Sequence, residues 1–127
     1  MTLQDFKESY LITDSELLTL QIDYLTDNQI SSEMVTIKFN GRKVVSEKKI
    51  EKTTFSLQFK GMIEFSYYDT FDCKTISEST LTKTSVGEFY LSLDPFQEDI
   101  PSEKDNMIIK SRELYFIDVN NLRHQIT

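Results

Sequence analysis

The chain of 127 residues contains no alanine. Alanine is the strongest helix former, and a mostly helical domain normally uses it freely. The residues used instead include Thr, Ile, Val, Phe and Tyr, which suit a pleated, half-buried surface. There is no tryptophan, one cysteine and one histidine. Cys73 alone excludes an intrachain disulfide framework and any zinc site built from several cysteines. His124 alone excludes a site built from several histidines. Without tryptophan the usual stacking platform for a sugar is missing, which argues against glycoside hydrolysis even though 21 acids always offer some carboxylate pair. No stretch approaches the roughly 18 to 20 apolar residues of a membrane span. Thr2 to Ser9 has no basic start followed by an apolar run, so no secretory signal is read there. A cytoplasmic location and no membrane partner are the expectations. Basic residues are also in short supply, 14 Lys and Arg against 21 Asp and Glu, for a formal charge of -7. Phosphate contacts need clustered Lys and Arg, so no nucleic-acid partner is expected.

What is present is aromatic and periodic. Nine Phe and six Tyr in a chain of this length can supply a core for one domain over residues 1–127. Thr2 followed by Asp5 has the form of a capping box, and Leu3, Phe6 and Tyr10 fall on one helical face, which predicts a helix of one or two turns. From Glu16 the period becomes two. Leu18, Leu20, Ile22 and Tyr24 alternate with polar residues, as do Val35, Ile37 and Phe39, then Phe55, Leu57 and Phe59, then Ile63, Phe65 and Tyr67, and finally Phe89, Leu91 and Leu93. Asn40-Gly41 reads as a hairpin turn. The lysine-rich stretch after it, toward Ile50, reads as an edge strand or a projecting hairpin. Gly61 is expected to break or bulge its strand. Residues 69 to 85 give no clear pattern. A last long strand from about Met107 to Val119 changes phase, which calls for a bulge near Ser111 to Glu113. Leu122 and Ile126 fit one helical turn or a short strand. The sum is mainly β: an antiparallel sandwich or partly open barrel of six to eight strands with a short N-terminal helix.

The chemistry-bearing residues are sparse. Cys73 and His124 could form a nucleophile and base only if the fold brought them together and an acid oriented the base; as isolated residues they read as a packing cysteine and a surface histidine. No phosphate loop, nucleophile elbow or histidine pair is present. The densest feature is acidic. Asp94, Glu98, Asp99, Glu103 and Asp105 stand in one loop with Lys104 the single base. Such a loop can be a solvated connection, a surface for a basic protein, or a calcium site, although the spacing is not that of an EF-hand. The acids of residues 1 to 33 add to that field, and the bases of residues 42 to 52 oppose it. No catalytic residue and no cofactor is assigned, and the five loop acids are the expected contacts for a protein partner. A rival reading is a barrel or sandwich that binds a small ligand in an apolar cavity.

Two stretches carry a resemblance. Asp14-Ser15-Glu16-Leu17-Leu18 leads into a first strand, and Ser92-Leu93-Asp94-Pro95-Phe96 ends a late strand before an acidic loop and a final strand. This layout resembles small β-rich bacterial proteins, among them immunity proteins of polymorphic toxin systems. Thr13 stands where related sequences carry a histidine. The resemblance implies a non-catalytic, β-rich binder that occludes a toxin, with a basic toxin domain as the partner. It implies no active-site residues.

Overall fold

The capping box expected at the N-terminus is formed in the computed structural model, which describes residues 1–27, 30–68 and 74–127, with the backbone alone at residues 25, 27, 30 and 31. The Thr2 hydroxyl accepts from the Asp5 amide at 3.0 Å, and the Asp5 carboxylate accepts from the Thr2 amide at 3.0 Å. These contacts satisfy two of the donors that a helix start leaves open. The helix, α1 (Leu3–Ser9), has seven residues. Helices this short are marginal on their own and depend on packing. Here Phe6 is buried against the rings of Tyr10, Phe55 and Phe116, with centroids 5.4, 5.9 and 5.4 Å away. The two chain ends also pair: the Leu3 amide donates to the Thr127 carbonyl and the Thr127 amide to the Met1 carbonyl, both at 3.0 Å.

Seven strands follow: β1 (Tyr10–Asp27), β2 (Ile30–Ser46), β3 (Lys49–Tyr67), β4 (Thr80–Lys83), β5 (Phe89–Ser92), β6 (Met107–Ile117) and β7 (Arg123–Ile126). All pairings are antiparallel and the order is β1-β2-β3-β6-β5-β4, with β7 added to β6. The sheet curls into a half-barrel, the partly open form expected from the strand pattern. β6 lies along β3 on one edge. Its other edge is shared, with β5 against Ile109–Ser111 and β7 against Leu114–Ile117. The segment that leads into β4 bonds back to β1: the Ile76 amide donates to the Ser15 carbonyl and the Leu17 amide to the Lys74 carbonyl, both at 2.9 Å. The two ends of the strand order are thereby drawn toward each other.

One face of the sheet is the core. Val35, Ile37 and Phe39 of β2 oppose Phe59, Leu57 and Phe55 of β3, and Phe59 and Leu57 oppose Leu114 and Phe116 of β6. All eight are at most 2% exposed. Each large apolar side chain buried in this way contributes about 1.5 to 3 kcal/mol. Because alternate residues point to one face, the period of two in the sequence is the direct cause of this layer.

Two sequence expectations are corrected here, and one left open between two readings is decided. Asn40-Gly41 is not a turn. β2 runs through it to Ser46, with the chain reversing at Glu47 and Lys48. Gly41 is needed for close approach: a Cβ there would lie 2.7 Å from the Phe55 ring and 3.1 Å from the Leu11 carbonyl. Of the two readings of the lysine-rich stretch, the projecting hairpin holds and the edge strand does not. The stretch is the projecting tip of the β2–β3 hairpin, whose parent strands are interior to the sheet, and β1 accompanies it only as far as Lys43. Third, β1 begins at Tyr10 and carries register shifts between Leu11 and Glu16 and between Leu17 and Thr19. The second shift turns Leu17 toward the core and leaves Leu18 44% exposed.

Other irregularities fall close to where the sequence placed them. Gly61 has a left-handed φ of 68°. The inward phase of β6 changes between Ser111 and Leu114, while the register shift itself lies across from it on β3, between Met62 and Glu64. The tail is a strand, β7. Among residues 69 to 85, only 74 to 85 lie within the described part, and they contain β4; Cys73 lies outside the described residues.

Candidate functional site

The acidic loop, residues 94–106, connects β5 to β6. Its base is closed by Asn106, whose amide donates to the Asp94 carbonyl and whose side chain donates to the Asp94 carboxylate, both at 3.0 Å. Its interior is organised by Asp105, which is 1% exposed. The Asp105 carboxylate accepts from the Phe96 amide at 2.8 Å, from the Ser102 amide at 3.2 Å and from the Tyr90 hydroxyl. Burial, and then the hydrogen bond to and charge of Asp105, push the Tyr90 hydroxyl well above its ordinary range. Tyr90 therefore stays a proton donor toward that carboxylate. Lys104 lies over the exposed Phe96 ring at 5.0 Å. Asp99 adopts a left-handed φ of 64° at a tight reversal in which the Ile100 amide donates to the Gln97 carbonyl, a conformation that a short polar side chain tolerates.

The five expected contact residues thus divide by position. Asp105 points inward and holds the loop, and Asp94 is half-buried at the loop's base. Glu98, Asp99 and Glu103 are exposed. Sequence reading could count the charges but not separate these two groups, because the partners of Asp105 are backbone amides and a tyrosine on another strand.

The loop borders two concavities. The smaller, about 190 Å³, has apolar walls from Phe6, Ile12 and Leu81, with Asp14 of β1 and Asp99 of the loop both on its lining. The Arg42 guanidinium enters from β2. It donates to the Thr13 carbonyl at 3.0 Å and lies 3.6 Å from the Asp14 carboxylate. Thr13 also bonds Ser79 at 2.9 Å and Glu98 at 3.5 Å. One acid of the N-terminal third, Asp14, and one of the loop, Asp99, therefore share a pocket, together with the cations Lys7 and Arg42. Asp14 reaches it through a left-handed φ of 66° inside the β1 irregularity.

The larger concavity, about 460 Å³, is a groove between the other side of the loop and the outer face of β3, β6 and β5. Alternation on β3 points Glu64 and Ser66 to this face, and Tyr68, the residue after the strand, also lines it. Lys110 and Ile108 of β6 stand opposite Glu64 and Ser66, and Tyr90 of β5 stands opposite Lys110. The Lys110 ammonium lies 3.5 Å from the Glu64 carboxylate and 6.0 Å from the Tyr90 ring. Ser102, Glu103 and Asp105 form the loop wall. Neither Glu64 nor Lys110 belongs to a motif that marks it in the sequence. The alternation of Glu64, Ser66 and Tyr68 was visible, but their pairing with β6 was not.

Cys73 lies outside the described residues. His124, half-buried on β7, stacks against Phe116 with centroids 5.7 Å apart and sits 3.0 Å from the Asp118 carboxylate. The same carboxylate accepts the amides of Asn120 at 2.9 Å and Leu122 at 3.0 Å. It therefore fastens the β6–β7 turn. The His124 hydrogen bond first, and then those two amides, hold Asp118 below its ordinary value of 3.8. A depressed carboxyl contributes stability above its unfolded value, and the contribution is lost as pH falls through the lower folded value. The stability difference between wild type and Asp118→Asn is thus expected to be full near neutral pH and to close between about pH 5 and pH 2. Urea unfolding of both proteins at each pH measures it.

Among the described residues, no group of three or more His, Cys, Asp or Glu could hold a metal ion. No helix among them is long and apolar enough to cross a membrane. No family model matches the chain, and no curated protein or solved structure matches it.

Proposed function

We propose that this chain is a non-catalytic protein-binding module of the toxin-immunity kind, which neutralises a basic partner by covering it with the surface around loop 94–106. The observation that carries this reading is the meeting of Asp14 with Asp99 on one pocket, with Glu98 bonded to Thr13 beside it. Acids more than eighty residues apart in sequence converge there on a loop whose backbone is already fixed by Asp105. Lys7 and Arg42 balance the two acids inside the pocket, so it is the exposed carboxylates of Glu98, Asp99 and Glu103 on this fixed loop that would steer a basic partner, and their preformed placement lowers the ordering cost of binding. The chemistry of the remaining residues supports a binding role, since His124 is committed to Asp118 at a turn. The rival reading, a small-ligand barrel, draws no support from the strand interior, where Phe39 and Phe116 both pack on Phe55 and all three, with Phe59, are at 2% exposure or less.

The test is affinity capture from the source cell with wild type and with the triple variant Glu98→Lys, Asp99→Lys, Glu103→Lys as paired baits. The expected result is a basic protein retained by wild type and lost by the triple variant. Equal retention by both baits would remove the loop from the account.

A further inference from the structure

We infer that the gap between β2 and β3 is the seat for an extended peptide segment of another protein, taken up as an added strand. None of the acids of loop 94–106 lines this gap.

The two strands pair from Ser46 and Lys49 as far as Val35 and Phe59, and then part. β3 turns away at Gly61, whose left-handed φ of 68° precedes a register shift between Met62 and Glu64. A bulge of this kind bends its strand and disrupts pairing. Both chains nevertheless continue as strands, because each is held by its other edge. Residues 30–34 of β2 pair with residues 23–27 of β1, and residues 60–65 of β3 pair with β6. Their facing edges have no strand partner among the described residues. A concavity of about 370 Å³ lies there, bordered by Ser32 and Glu33 on one side and by residues 61–65 on the other.

Two observations fix the chemistry of the occupant. The first is the main chain. A strand edge without a partner presents a row of unpaired N–H and C=O groups. An extended backbone directs its own donors and acceptors to both sides, so it answers two such rows at once. The second is the apolar face. Past Val35 the β1–β2 pair is a two-stranded ribbon, a form that is marginal in water without a third strand. On its inward side Ile22, opposite Val35, is 42% exposed, and Tyr24, opposite Glu33, is 71% exposed. Across the gap, Met62 and Phe65 of β3 pack against the core. An added strand with apolar residues at alternate positions carries the inward face from β2 across to β3. Charge does not select the occupant. Glu33 and Arg112, one of each sign, line the gap outside any ion pair among the described residues, and Glu64 is already paired with Lys110. A second copy of the chain is disfavoured, since two copies at a formal charge of -7 repel each other.

The probe is the peptide acetyl-Val-Thr-Val-Lys-Val-amide, titrated into the full chain and followed by amide chemical shifts and hydrogen exchange. Two N-methylated counterparts keep its side chains and its charge. One is methylated at the second and fourth residues, the other at the first, third and fifth, so each loses the donors along one edge. The expected result is saturable shifts centred on Ser32, Glu33 and residues 61–65, with slowed exchange there and at least fivefold weaker binding of both methylated peptides. Glu33→Gln is expected to bind the probe within twofold of wild type. Loss of binding by only one methylated peptide would mean docking on a single edge and would overturn the seat between two strands. Equal binding of all three peptides, shifts centred elsewhere, or a change of more than twofold in Glu33→Gln would overturn it as well. Sedimentation of the chain without peptide is expected to show a monomer. A dimer that slows exchange at the same amides would make a second copy the occupant and overturn the inference.

Discussion

Replacing Asp105 by alanine is expected to destabilise the protein by about 3 to 4 kcal/mol and to loosen loop 94–106. The substitution takes the acceptor from three donors at once, the Phe96 amide, the Ser102 amide and the Tyr90 hydroxyl, of which only Tyr90 keeps a second acceptor, the Ser102 carbonyl at 3.2 Å. A buried donor left without a partner costs about 1 to 3 kcal/mol, and the two amides at the loop surface recover part of that from water. Tyr90→Phe removes one of the three bonds and is expected to cost about 1 kcal/mol. Glu103→Gln, on the exposed side of the same loop, should stay within about 0.5 kcal/mol of wild type. Urea unfolding gives the energies, and hydrogen exchange at Phe96 and Ser102 shows whether the loop opens first. An Asp105→Ala protein as stable as wild type would mean that this carboxylate does not organise the loop.

Phe55→Ala is expected to cost about 3 to 5 kcal/mol, the range for deleting a buried aromatic ring. Phe55 is where the helix meets the sheet. Its ring lies 5.9 Å from Phe6, 5.3 Å from Tyr10, 5.3 Å from Phe39 and 6.0 Å from Phe116. A seven-residue helix has no independent stability, so loss of this ring should also free α1 and the Met1–Thr127 pairing. The measurements are the unfolding midpoint and the rate of proteolysis within the first ten residues. The two should change together. A drop in stability with α1 still protected would show that the helix is held by its cap and the chain ends instead.

The strand interiors were legible because alternation is a local property. Val35, Ile37 and Phe39, and Phe55, Leu57 and Phe59, announce their inward face without knowledge of any partner. So did the Thr2–Asp5 cap, whose two bonds span three residues. What failed was local chemistry overridden by distant atoms. Asn40-Gly41 has the form of a turn, yet glycine is there because the Phe55 ring and the Leu11 carbonyl leave no room for a side chain. Leu18 fits the apolar period, but a register shift set by pairing with β2 hands its inward place to Leu17. The candidate site was legible only as charge. The acid count drew attention to loop 94–106, while the inward turn of Asp105, the shared pocket of Asp14 and Asp99 and the groove at Tyr68 all depend on contacts between residues far apart in the chain.

The central claim is that exposed acids on a rigid loop recruit a basic protein. Association kinetics of the captured partner, measured against ionic strength, test it most directly. If the claim holds, the wild-type association rate falls steeply as salt rises past about 0.1 M, where the screening length shrinks to roughly 10 Å. The Glu98→Lys, Asp99→Lys, Glu103→Lys variant then associates at least tenfold more slowly at low salt. An association rate that is indifferent to salt, and the same for both proteins, would contradict it.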